Sequence, residues 1–259
     1  MPNVTISGAK LFYRDEGSGA VLLLVHAFPL NSTMWDAQIA AFAPTMRVIA
    51  PDLPGFGQSI LGSGEKSINR YADTLAALFD QLGIECAAVA GLSMGGYTAF
   101  ALLRRHPHRI SALLLADTKA TPDSDDAKAT RAENAEIVRT HGADALADRM
   151  LPTLLSDGAP ETLHGDLRAI IHANSRDGMA AALQAMAARA DASDLLGSIT
   201  VPTAIIVGER DTVTPPDIAR QMSEQIAGSR LMTIARAGHV SNMENPEAFN
   251  AAMTALLIP

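Results

Sequence analysis

The chain has 259 residues, 48% of them hydrophobic and 19% charged, and a formal net charge of −8. This composition excludes a disordered chain and suits one globular domain carrying an insertion. The acidic balance, with no run of Lys or Arg, argues against a nucleic-acid partner, and the single cysteine, Cys86, leaves no internal disulfide to form.

Residues 1–8 lack a charged segment followed by an apolar one, so no signal peptide is expected. The longest aliphatic run, residues 20–25, is far too short to span a bilayer. A soluble, cytoplasmic protein without a membrane partner is the expectation. Residues 4–6 and 10–13 flank Ser7-Gly8-Ala9 and predict a hairpin. Short runs that are apolar on consecutive positions follow at 21–26, 47–51, 86–90, 110–116, 203–207 and 230–234. Unbroken apolar runs suit strands buried on both faces of a parallel sheet, and Cys86, inside one of them, reads as a small core residue.

Helical patterns separate these runs, at 36–43, 67–82, 97–105, 216–226 and 246–257. Gly83 and Gly228 follow two of them and Pro216 and Pro246 open two others, as helix-capping asymmetry requires. The alternation predicts an α/β class protein with a doubly wound, mostly parallel sheet. One stretch breaks it. From Lys119 to Ser198 the patterns at 125–140, 143–155, 160–174 and 177–190 are all helical, with no strand between them. The expected division is therefore a core of residues 1–118 and 199–259 and an inserted helical cap of residues 119–198.

The chemistry starts at Gly91-Leu92-Ser93-Met94-Gly95, which lies between an apolar strand and a helix. A chain that turns from strand to helix within two or three residues strains the residue at the apex. Glycines two positions to either side remove the Cβ atoms that would clash, and the serine hydroxyl is held out above the sheet. Such a hydroxyl is a weak nucleophile until a base stands beside it and a third group orients the base. Of the seven histidines, His106 and His108 sit at a helix end, and His141, His164 and His172 lie in the cap without ligand spacing. His239 follows the run at 230–234 in a loop that reaches over the sheet edge, and is the candidate base. Asp211, directly after the run at 203–207, leads as the acid because the chain order is then Ser, Asp, His; Asp117 and Glu209 compete with it.

Together with this elbow, Gly208-Glu209-Arg210-Asp211, Ala237-Gly238-His239, His26-Ala27-Phe28-Pro29 and Asp52-Leu53-Pro54-Gly55-Phe56-Gly57 resemble the motifs of the α/β-hydrolases over nearly the whole chain outside the cap. The resemblance implies a Ser93–His239–Asp211 triad and an oxyanion hole formed by the backbone N–H groups of Phe28 and Met94. His26 then holds its loop by hydrogen bonds, and the Asp52 motif is a structural turn. Ala27 stands where glycine is commoner, which requires a negative φ there.

The implied activity is cleavage of a small-molecule carboxylic ester or lactone through an acyl-enzyme. The motifs most resemble those of small esterases, enol-lactonases of the 3-oxoadipate type and cofactor-free haloperoxidase-like perhydrolases. No metal or other cofactor is expected, since no metal-ligand spacing and no nucleotide-binding glycine pattern is present. A lactonase acting on a carboxylated substrate needs a cation, for which Arg149, Arg168, Arg176, Arg189 and Arg210 are candidates. Met150, Met179 and Met186 suit an adaptable apolar pocket or an ordinary core. The rival from another class is a hydrolase-like protein that binds a ligand without turning it over.

Overall fold

The computed structural model describes residues 2–257. An N-terminal hairpin of β1 (Asn3–Ile6) and β2 (Ala9–Glu16) leads into β3 (Val21–Val25), α1 (Asp36–Phe42), β4 (Arg47–Pro51), α2 (Ile68–Leu82), β5 (Ala87–Leu92), α3 (Met94–Arg105) and β6 (Ile110–Ala116). After β6 come the helices α4 (Asp125–His141), α5 (Ala143–Leu154), α6 (Glu161–His172), α7 (Arg176–Ala187) and α8 (Ser193–Leu196). The alternation then resumes with β7 (Thr203–Gly208), α9 (Pro216–Gln225), β8 (Arg230–Ile234), α10 (Ser241–Glu244) and α11 (Pro246–Leu257).

The strands form one 8-stranded sheet in the order β1-β2-β4-β3-β5-β6-β7-β8. The pairs β1–β2 and β2–β4 are antiparallel, and every pair from β4–β3 to β7–β8 is parallel. This order sets the carboxyl ends of β5, β6, β7 and β8 side by side, so the residues that follow them, Ser93, Asp117, Asp211 and His239, converge on one edge. Strands β5 and β7 are buried at every position, as unbroken apolar runs predict. Strand β8 departs from that expectation: it is the edge strand, and Arg230 and Leu231 are exposed.

Local signals fix the helix ends. Ser67 accepts the N–H of Arg70 at the start of α2, and Gly83 closes that helix with φ 64. Ser124 and Ser175 cap α4 and α7 in the same way. Helix α3 begins three residues earlier than the pattern suggests, because the Gly96 and Tyr97 N–H groups bond straight back to the Ser93 carbonyl. Cys86 is a correction. Strand β5 starts one residue after it, and in the turn from α2 both Glu85 and Cys86 are exposed, so the thiol is not part of the core.

The helices between β6 and β7 pack on one another, α4 on α7 and α5 on α6. They meet the core where loops leave the carboxyl ends of the strands. Gly178 of α7 approaches Gly55 so closely that a Cβ on Gly178 would fall 2.0 Å from the Gly55 carbonyl oxygen. Asn174, after α6, donates to the Pro29 carbonyl at 2.7 Å and accepts the Gly57 N–H at 2.7 Å.

Candidate active site

Ser93 has φ 55 and ψ −111, a backbone conformation that non-glycine residues rarely hold. The flanking glycines make it possible. A Cβ on Gly91 would lie 2.3 Å from the Gly95 carbonyl oxygen, and one on Gly95 would lie 2.0 Å from the Val25 carbonyl oxygen. The bend is therefore packed against its own helix and against the end of β3.

The structure brings Ser93, His239 and Asp211 together, although 146 and 28 residues of sequence separate the bonded pairs. His239 Nε2 stands 2.8 Å from Ser93 Oγ, and His239 Nδ1 stands 2.8 Å from Asp211 Oδ2. A carboxylate only accepts, so Nδ1 carries the ring proton and Nε2 is free to accept the serine hydroxyl. The side chains are nearly removed from water, at 8%, 2% and 3% residue exposure for Ser93, His239 and Asp211.

Asp211 is held ionised. Its Oδ1 accepts the N–H groups of Val213 (2.8 Å) and Thr214 (3.0 Å), and its Oδ2 accepts the Thr214 hydroxyl (2.6 Å) as well as His239. Burial alone would raise its pKa, but the charge and hydrogen bond of His239 and the bonds from Thr214 outweigh burial and hold it below the usual carboxylate value. Burial likewise disfavours the His239 imidazolium, yet the Asp211 carboxylate more than compensates and holds the imidazole pKa above 6.5.

The loop after β3 is fastened by His26. Its Nε2 accepts the Leu53 N–H at 3.0 Å, so Nδ1 carries the proton and donates to the Ala27 carbonyl at 2.9 Å. Burial keeps this imidazole neutral. Among the described residues the non-glycine positions with positive φ are Ser7, Ser93, Asp117 and Arg236, so Ala27 meets the condition that its methyl group sets. Asp52 accepts the N–H groups of Ser32 and Gln58, both at 2.8 Å, and so closes the turn beneath this loop.

The profile of the alpha/beta hydrolase fold family matches residues 20–246. The chain belongs to that family. It is 31% identical over 239 residues to 3-oxoadipate enol-lactonase 2 of Acinetobacter baylyi, covering 91% of this chain and 88% of the relative. Among solved structures, a thermophilic esterase from Thermogutta terrifontis with malate bound superposes with a TM-score of 0.95 at 38% identity, covering 99% of this chain and 97% of that one. The enol-lactonase from Burkholderia xenovorans LB400 superposes with a TM-score of 0.92 at 30% identity, covering 100% of both chains.

In this alpha/beta hydrolase the competing carboxylates do not touch the histidine ring. Glu209 is exposed and accepts the Arg236 N–H. Asp117 is buried and engaged by Gly208 and Ser241. The arginines proposed for a carboxylated substrate are also dispersed. Arg149 and Arg168 pair with Glu133 and Asp148 at the surface, and Arg176 and Arg210 are exposed. Arg189 is buried, lies 4.0 Å above the Tyr97 ring and shares Asp123 with Arg131 and Lys119. A cavity of about 240 Å³ opens beside that cluster, lined by Tyr97, Phe100, Lys119, Ala185 and Arg189, but neither Ser93 nor His239 lines it. Met179 and Met186 are buried in the core, whereas Met150 is half-buried.

Sequence reasoning missed Thr214, Glu244 and Asn174. The spacing Asp211-x-x-Thr214 is a local carboxylate-to-backbone turn that could have been read. Glu244 and Asn174 act across 88 and 145 residues of sequence, and nothing local marks them.

Proposed function

We propose that Ser93 is the nucleophile, His239 the general base and Asp211 the orienting acid of a two-step acyl transfer. The chain is a carboxylic ester hydrolase by its family and relatives, and the esters and lactones it cleaves are small molecules. The single observation that carries the assignment of roles is the unbroken relay Asp211–His239–Ser93, with both links at 2.8 Å.

In the first step Ser93 Oγ attacks the carbonyl carbon as its proton passes to His239 Nε2. The imidazolium so formed is stabilised by the Asp211 carboxylate. The tetrahedral intermediate collapses, and the leaving alkoxide takes the proton from Nε2. A water then attacks the acyl-enzyme with His239 again accepting the proton. Collapse of the second intermediate returns that proton to Ser93 and frees the acid; a lactone gives a single ring-opened product.

The developing oxyanion is assigned to the N–H groups of Phe28 and Met94. Both residues are buried, Met94 opens α3, and neither N–H donates to a backbone acceptor among the described residues. Such preorganised donors contribute on the order of 3 kcal/mol each. Residues 119–198 act as the cap in this reading, supported by the contacts of Leu154 and Asn174 with the loops that bear His239 and Pro29. No described helix is long and apolar enough to cross a membrane.

The test is hydrolysis of p-nitrophenyl acetate and butyrate by the parent and by Ser93→Ala. The roles require turnover by the parent and its loss in the variant. Equal rates from the two proteins would remove Ser93 from the mechanism, and no turnover of any ester or lactone by the parent would favour a ligand-binding protein.

A further inference from the structure

Asp117 is a buried carboxyl that acyl transfer at Ser93 does not use. It is 1% exposed and follows β6 with φ 44. Its Oδ1 accepts the N–H of Gly208 at 2.7 Å, and Gly208 ends β7, where the loop carrying Asp211 begins. Its Oδ2 accepts the hydroxyl of Ser241, two residues after His239. The next residue, Thr118, donates its hydroxyl to the carbonyl of Ser93 itself at 2.9 Å. Gly96 makes room for this contact, since a Cβ there would lie 2.4 Å from the Thr118 hydroxyl oxygen.

We propose that Asp117 and Thr118 are positioning residues for the reaction, joining the serine, acid and histidine loops at one strand end. The inference rests on the triad roles given above.

The topology explains why this position is suited to the task. Strand β6 lies between β5, which carries Ser93, and β7, which carries Asp211. Main-chain bonds already run both ways from its end: the Ser93 N–H donates to the Ala116 carbonyl and the Asp117 N–H to the Ile206 carbonyl, each at 2.9 Å. Among the described residues the His239 loop, beyond β8, has no such main-chain link to β6. A side chain with two oxygens reaches it, one oxygen serving each loop. Asp also tolerates the left-handed backbone that aims its side chain along the sheet edge.

The electrostatics argue for geometry and against a second orienting charge. Burial and then the neighbouring Asp211 charge push the Asp117 pKa up to about 8, while His239, Ser241 and Gly208 pull against them. Burial so disfavours the charged form of Asp117 that it does not rival Asp211 for the imidazolium. Small displacements of triad atoms matter, since a shift of about 1 Å costs on the order of 100-fold in rate.

The test compares Asp117→Ala, Asp117→Asn, Ser241→Ala and Thr118→Val on p-nitrophenyl butyrate. Active sites are counted by reaction with a fluorophosphonate taken to completion, so that misfolded protein does not enter kcat. Asp117→Ala is expected to lower kcat per site by about 10- to 100-fold with KM changed less than about twofold. Asn can accept from Gly208 and donate to the Ser241 oxygen, so Asp117→Asn is expected to recover about tenfold of that loss. Ser241→Ala and Thr118→Val each remove one tie and are expected to lower kcat by about fivefold, the weight of one hydrogen bond.

If Asp117→Ala does not fold, the Ser241 and Thr118 variants carry the test alone. Unchanged kcat per site in the variants that fold overturns the proposal and leaves Asp117 a purely structural residue. An Asp117→Asn variant as inactive as Asp117→Ala also overturns it, because charge rather than bridging would then be required. A parent enzyme that turns over no ester is a separate failure, that of the triad roles themselves.

Discussion

The backbone N–H of His239 donates to the carbonyl of Leu154, 3.0 Å away, so the imidazole that faces Ser93 is carried on a loop held by the last residue of α5. The Val240 N–H reaches the same carbonyl at 3.3 Å. Glu244 extends the contact, accepting the Gly238 N–H at 2.7 Å and the N–H and hydroxyl of Ser156 at 3.1 and 2.5 Å. The segment at the end of α5 therefore touches the loop that carries His239 through the main chain.

Glu244→Gln tests that link. A carboxamide presents a single acceptor where the N–H groups of Gly238 and Ser156 each meet one carboxylate oxygen, so one of those N–H groups is left unpaired. The expected loss of stability is about 2 kcal/mol, read from urea unfolding. Turnover of p-nitrophenyl acetate is expected to fall as well, although so small a substrate makes few contacts with the helices. Unchanged kcat on acetate would mean that this link has no part in turnover.

Asp123, just before α4, joins that helix to the end of α7 by charge. Its side chain is 1% exposed and pairs with Arg131, Arg189 and Lys119. Burial disfavours its charge, but the two arginines overcome that and lower the pKa from 3.8 to about 2. A carboxyl with a depressed folded pKa stabilises the protein above its unfolded value, and that contribution is lost as pH falls from about 4 towards 2. Asp123→Asn should flatten stability over that window. At pH 7 it is expected to cost about 3–5 kcal/mol, because Arg189 keeps a buried charge without its partner.

The acidic limb of kcat/KM should report His239. Reaction requires the neutral imidazole, so activity is lost as pH falls through its pKa, which the Asp211 charge holds above 6.5 against burial. Arg131 acts on the same ring in the lowering direction. Asp211→Asn removes the main raising charge and is expected to shift the limb to lower pH while cutting kcat by about 10⁴-fold. A limb that stays in place would mean that another group sets it.

Much of this was legible in the sequence, and for a physical reason. Strands buried on both faces, such as β5 and β7, leave unbroken apolar runs, and helices that begin at Ser67 or end at Gly83 carry their own caps. Ser93, Asp211 and His239 were readable because each lies in a loop shortly after a strand in a parallel sheet, where chain order constrains which residues can meet. Cys86 was misread since an apolar run does not reveal where the chain leaves the surface turn and enters the sheet. The ties of Asn174 to Pro29, of Glu244 to Ser156 and of Asp117 to Ser241 were not legible at all. They join segments distant in sequence, and a single polar residue carries no sign of which distant partner it will meet.

The most direct test is to locate the covalent bond. The protein is treated with a fluorophosphonate, digested, and the adduct mapped by mass spectrometry. One adduct per chain on the Ser93 hydroxyl, lost in Ser93→Ala and slowed in His239→Ala, is the predicted result. An adduct on another residue, or ester hydrolysis that survives in Ser93→Ala, would contradict the assignment of Ser93 as the nucleophile.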